Sequence, residues 1–62
     1  MKFIESHDMN KDEVIVNVSN IDYIWFGETI TGIHFKHGAD LILSETKEEF
    51  KTKLTHACMD AQ

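Results

Sequence analysis

The chain has 62 residues, 42% of them hydrophobic, and its eleven acidic and six basic residues give a net charge of −5. A single domain of residues 1–62 is expected, and a chain this short buries only about 60% of its unfolded surface, which leaves little stability. The single cysteine, Cys58, excludes an internal disulfide, and MKFIESHDMN at the start lacks the apolar run of a signal peptide or membrane span. We therefore expect a soluble, cytoplasmic protein that gains stability from association with other subunits.

The basic residues make nucleic-acid binding the less favoured function. All six are lysines, so arginine, the main bidentate reader of guanine, is absent. A net negative chain also repels a phosphate backbone unless its lysines gather on one surface. The lysines that such a surface would use are Lys36, Lys47, Lys51 and Lys53.

The first half of the chain predicts three strands. KFIES at 2–6 reads as a short strand, and EVIVNV at 13–18 alternates valines on one face with Ile15 and Asn17 on the other. After Ser19 and Asn20, IDYIWF at 21–26 predicts a bent strand or a short turn.

A β-hairpin follows. The segments TITGIHFKH at 29–37 and DLILS at 40–44 alternate apolar residues, and His37 and Gly38 reverse the chain between them. The core faces of the two strands are predicted to carry Ile33, Phe35, Leu41 and Leu43.

The segment after the hairpin predicts a helix. Thr46 and Glu49 have the spacing of a capping box, in which each side chain satisfies a free backbone N–H group. An apolar stripe that packs on the sheet is predicted from the residues that recur at helical spacing, which are Phe50, Leu54, Ala57, Cys58 and Ala61. Leu54→Ala is therefore expected to unfold or severely destabilise the domain, and Cys58 is expected to be a small buried hydrophobe rather than a nucleophile.

Apolar residues remain after one helix has covered one sheet face. Such residues form an exposed patch of the kind that marks a protein interface, although they are also common as isolated surface residues. We expect a homo-oligomer, a dimer or larger, that uses this second face or an edge strand. The predicted interface residues are Ile15, Trp25, Phe26, Ile30 and Ile42.

The sequence carries no pattern typical of a catalytic, cofactor or metal site. His34 and His37 are three residues apart on an extended segment and so point to opposite faces, and His56 has no histidine or carboxylate four residues before it. The carboxylate pairs are typical of a turn and a helix cap. No enzyme activity and no cofactor are therefore predicted.

Three segments carry a resemblance to known families. NVSNIDYI at 17–24, TGIHFKHG at 31–38 and LILSETKEEF at 41–50 together resemble the short FlbD-like proteins of bacterial flagellar gene clusters. His37 and Gly38 stand where that family has Asn-Gly, and one extra residue separates Ile24 from Thr31. IDYI followed by a strand, a hairpin and a helix is also similar to the front half of LytTR-type DNA-binding domains.

Together these patterns predict an α+β fold: an antiparallel sheet of four or five strands, followed by one helix on one face. The function expected is that of a non-enzymatic, homo-oligomeric interaction module of bacterial or phage origin. A LytTR-like nucleic-acid-binding regulator and an inhibitor of another protein stay open as alternatives.

Overall fold

The computed structural model describes residues 2–59, and it has the predicted α+β fold of antiparallel strands followed by one helix. Within these residues no helix is long and apolar enough to cross a membrane. The elements in chain order are β1 (Phe3–His7), β2 (Glu13–Asn17), a short 3-10 helix (Val18–Asn20), β3 (Ile21–Phe26), β4 (Thr31–Phe35), β5 (Asp40–Leu43) and α1 (Lys47–Met59).

The five strands form two sheets, one with the order β1-β2 and one with the order β3-β4-β5. An antiparallel bridge between Asp8 and Leu43 joins β1 to β5, and the Ser44 N–H donates to the His7 carbonyl over 3.0 Å. All neighbouring strands in both sheets are antiparallel, as tight turns between successive strands require. β2 and β3 therefore stand at the two ends of this arrangement.

Turn chemistry sets the ends of both hairpins. In the β1–β2 turn, the Asp8 carboxylate accepts hydrogen bonds from the N–H groups of Asn10 and Asp12, at 2.9 and 3.0 Å, and Lys11 has a φ of 69°. In the β4–β5 turn Gly38 has a φ of 100°, a left-handed conformation that glycine adopts without strain. Both turns fix the register of the strands that they connect.

The core lies between the two sheets and the helix. Its fully buried apolar residues are Ile4, Val16, Ile33, Leu43 and Phe50, with Ala57 next to them. Alternation along the strands places these residues on one face, because side chains two apart on a strand share a face. Phe50 has no exposed surface and belongs to the same buried cluster as residues of both sheets.

Two predictions about the helix need correction. Cys58 is exposed, because the helix turns about 100° per residue and its neighbour Ala57 takes the buried position. Leu54 is only partly buried against the core, so the helix depends on Phe50 more than on Leu54. Ala61, the last residue of the predicted stripe, lies outside the described residues.

The capping box is confirmed. The Thr46 N–H donates to Glu49 Oε1 over 2.9 Å, and the Glu49 N–H donates to the Thr46 hydroxyl over 3.3 Å. These reciprocal bonds satisfy two backbone donors at the helix start. The helix accordingly begins at Lys47, directly after Thr46.

Candidate interaction surface

The outer face of the three-stranded sheet carries an exposed tryptophan directly above a glycine. Gly32 lies opposite both Trp25 on β3 and Ile42 on β5, so these three residues form one row across the sheet. A Cβ atom on Gly32 would lie 2.1 Å from Cε2 of Trp25, which means that the indole covers the glycine. Trp25 stays 37% exposed and Ile42 39% exposed.

A second row runs beside the first. Tyr23 lies opposite His34, and His34 lies opposite Asp40. The rings of Tyr23 and His34 stack with their centroids 4.8 Å apart, and the Tyr23 and Trp25 centroids are 6.1 Å apart. We call Tyr23, Trp25, His34 and Ile42 the aromatic face.

Asp40 fixes the orientation of the imidazole in this row. His34 Nδ1 lies 2.5 Å from Asp40 Oδ1. With the imidazole proton on Nδ1, His34 donates this hydrogen bond and the Asp40 carboxylate accepts it. The bond holds the ring under Tyr23 and so stiffens one edge of the aromatic face.

The structure divides the five residues predicted as an interface. Trp25 and Ile42 lie together on the aromatic face, whereas Ile15, which is 68% exposed, belongs to the other sheet. Phe26 lies opposite the buried Thr31, on the side of the sheet that faces the core, and Lys47 Nζ is 5.8 Å from its ring centroid. Ile30 is half-buried, close to the turn glycine Gly27.

Two members of the aromatic face were not predicted. Tyr23 lies two residues from Trp25 on β3, and His34 lies two residues from Gly32 on β4. Side chains two residues apart on a strand share a face, so both belong to the aromatic face. In a strand, the positions of Tyr23 and Trp25 in IDYIWF would place both side chains on one face. The segment was also compatible with a turn, so this placement was not predicted. A bulge between Ile21 and Tyr23 shifts the register at the start of β3.

A groove between α1 and the two-stranded sheet is a second partly apolar surface. It has a volume of about 660 Å³, and Phe3 on its rim is 50% exposed. Its other lining residues are Ile4, Glu5, Ile15, Lys53, His56 and Ala57.

A polar link beneath the helix joins all three parts of the fold. Lys53 forms an ion pair with Glu45 and also donates to the Glu5 carbonyl over 2.8 Å. The Thr31 hydroxyl donates to the Glu45 carbonyl over 3.0 Å. The Ser6 hydroxyl is buried nearby in the fold without a hydrogen-bond partner among residues 2–59. The amine of Lys53 is thus engaged in contacts within the chain.

The four predicted nucleic-acid lysines do not all present a free cation. Lys53 is held by Glu45, and the Lys47 amine lies over the Phe26 ring. Lys36 lies in the turn at one end of the β4–β5 hairpin, while α1 with Lys47 and Lys51 starts beyond its other end. The hairpin therefore separates Lys36 from the start of the helix by roughly 13 Å, at about 3.3 Å per strand residue.

The histidines lie in different environments. His34 is bonded to Asp40, and His37 stacks on Phe35 with their centroids 5.6 Å apart. His7 is at the end of β1 and His56 is on α1. Within the described part of the chain, no three His, Cys, Asp or Glu side chains are arranged to hold a metal ion.

Comparison with known proteins gives no relative. No protein-family model, no curated protein and no solved structure matches this chain. The resemblance to FlbD-like and LytTR-type proteins stays a prediction from the sequence.

Proposed function

We propose that this protein is a non-enzymatic interaction module that associates with copies of itself through the aromatic face. The observation that carries the proposal is the tryptophan that covers Gly32 and remains exposed beside Tyr23 and Ile42. Tryptophan and tyrosine are enriched where interfaces gain most of their binding energy, because they bury large areas and lose few rotamers.

The size of the chain supports association. A small domain has a thin core, and the fully buried apolar residues here are few. Covering the aromatic face would add apolar burial at about 25 cal/mol per Å². A second copy is the partner that every molecule of this protein has available.

The proposal assigns no catalytic role to any residue. His34 and Asp40 bond to each other, and the bond orients the ring that stacks on Tyr23. A cytoplasmic location fits a chain whose one cysteine is exposed and unpaired, because the cytosol keeps thiols reduced.

The alternative is nucleic-acid binding through Lys36, Lys47 and Lys51. Lys47 and Lys51 are both exposed and lie one helical turn apart. This pair favours nucleic-acid binding at the start of α1 alone. Such binding would weaken steeply as salt is added. An inhibitor of another protein is the third possibility, and a pull-down separates it from self-association.

Light scattering coupled to size exclusion, over a range of concentrations, tests the proposal. We expect the native chain to be a dimer or larger at high concentration and Trp25→Ala to shift the equilibrium toward monomer by at least tenfold in Kd. Ile15→Ala is the matched control, since it removes an exposed apolar side chain from the other sheet and should leave the assembly unchanged. A native chain that is monomeric throughout, with retained circular dichroism, would refute self-association.

A further inference from the structure

We propose that two copies join by antiparallel pairing of their β3 strands, an inference that rests on the proposed self-association. β3 is an edge strand: within residues 2–59 it pairs with β4 and with no other strand. An edge strand presents unpaired N–H and C=O groups, and another strand satisfies them directly. The experiment below separates this pairing from packing of two aromatic faces.

The backbone identifies which groups of β3 are free. The Gly27 N–H donates to the Ile30 carbonyl over 3.0 Å, so Gly27 faces β4. Backbone groups alternate sides along an antiparallel strand, so Trp25 also faces β4 while Ile24 and Phe26 face the free edge. The Phe35 N–H donates to the Ala39 carbonyl, on the side of β4 that faces β5. The backbone groups of β4 therefore alternate in the same way, and those of Gly32 face β3.

These free groups define a self-complementary register. With a two-fold axis at Trp25, Ile24 of one copy lies opposite Phe26 of the other, and the two pairs exchange four hydrogen bonds. The Trp25 residues of the two copies then form the central pair without hydrogen bonds. Tyr23 of one copy comes diagonally next to Trp25 of the other, within the reach of aromatic side chains.

The distribution of charge favours β3 over the other free edge. The chain has a net charge of −5, so a self-interface must avoid its carboxylates. β3 carries one charged residue, Asp22, which lies outside the paired segment 23–27. β2 is shorter, begins at Glu13, and pairs Ile15 with Glu5.

The decisive variant is Phe26→Pro, compared with Phe26→Val. Proline removes the outward N–H of residue 26, which by the alternation above points away from β4 and has no strand beside it among residues 2–59, and edge strands tolerate proline there. Valine shortens the same side chain but keeps the N–H. By size exclusion with light scattering, we expect Phe26→Pro to be monomeric and Phe26→Val to associate within a few fold of the native Kd.

Amide hydrogen exchange of the native chain provides a test that needs no substitution. Dilution through the dissociation range should reduce protection of the Ile24 and Phe26 N–H groups at least tenfold, while the Trp25 N–H, which faces β4, keeps its protection. If the native chain associates but its Ile24 and Phe26 amides exchange equally fast at all concentrations, edge pairing is wrong and self-association stands. A chain that is monomeric at every concentration rejects both proposals.

Discussion

Trp25 and Gly32 depend on each other, because the indole occupies the space where any other residue would carry a Cβ atom. The nearest ring atoms would lie 2.1 to 2.6 Å from that Cβ, well inside van der Waals contact. Gly32→Ala must therefore displace the ring, and overpacking of this kind costs about 1–3 kcal/mol.

This prediction is checked by urea unfolding followed by tryptophan fluorescence. Gly32→Ala should lower the free energy of unfolding and change the emission of the folded state. In a Trp25→Ala background the same substitution should cost much less, with unfolding followed there by circular dichroism. An equal cost in both backgrounds would mean that the ring is not the obstacle.

At the scale of the element, the start of α1 makes stability depend on pH. Hydrogen bonds from the Thr46 N–H and, secondly, the Thr46 hydroxyl hold the pKa of Glu49 below its ordinary value. A carboxylate with a lowered folded pKa contributes stability that is complete above the unfolded pKa and is lost as the pH falls through the folded pKa. Protonation of Glu49 should thus weaken the helix start in acid.

Glu49→Gln isolates this effect, because glutamine keeps the capping geometry but does not titrate. Between about pH 6 and pH 3 the native chain should lose stability more steeply than Glu49→Gln in urea melts. Glu48→Gln is the matched control, because it removes a carboxylate of the same helical turn that lies outside the capping box. Parallel curves for the native chain and Glu49→Gln would contradict the assignment.

The packing of α1 predicts unequal costs along its apolar stripe. Phe50 is fully buried, so Phe50→Ala should cost about 3–5 kcal/mol, comparable to the roughly 3–9 kcal/mol that a chain this long holds. Leu54 is only partly buried, so Leu54→Ala should cost about half of a buried leucine's 2–5 kcal/mol. Thermal melts should show Phe50→Ala unfolded or nearly so and Leu54→Ala folded with a lower Tm. The reverse order would contradict the packing.

An element can be predicted from the sequence when the residues that determine it lie close together in the chain. The hairpin around Gly38 and the capping box at Thr46 were predicted, because turn and cap chemistry act within a few residues. The exposure of Cys58 was missed, since the apolar stripe does not show which of two adjacent small residues faces the sheet.

For the whole molecule, charge predicts how association responds to salt. Each copy carries a net charge of −5, and two copies in contact repel. Added salt shortens the Debye length from about 30 Å at 0.01 M to about 8 Å at 0.15 M, which screens this repulsion. Sedimentation equilibrium should therefore show tighter self-association at the higher salt concentration. Looser association would indicate that attraction between opposite charges holds the copies together.

The arrangement of the whole chain was less accessible to sequence analysis. Alternation assigns a residue to one face of a strand but does not identify the sheet to which the strand belongs. Ile15 and Trp25 were therefore grouped in one patch, although their strands belong to different sheets, which the bridge from Asp8 to Leu43, thirty-five positions along the chain, joins. No local pattern encodes a pairing of this separation.

Glu45 connects parts of the fold that are otherwise in limited contact. Its carbonyl accepts from Thr31 in the three-stranded sheet, and its carboxylate holds Lys53 of the helix, which in turn bonds to Glu5 in the two-stranded sheet. Separation of any one part breaks a polar bond to another, and the bond between the Thr31 hydroxyl and the Glu45 carbonyl is buried, so its partners are costly to leave unsatisfied. The two sheets and the helix should consequently melt in a single cooperative transition, and a partner bound to one sheet should raise the melting temperature of them all.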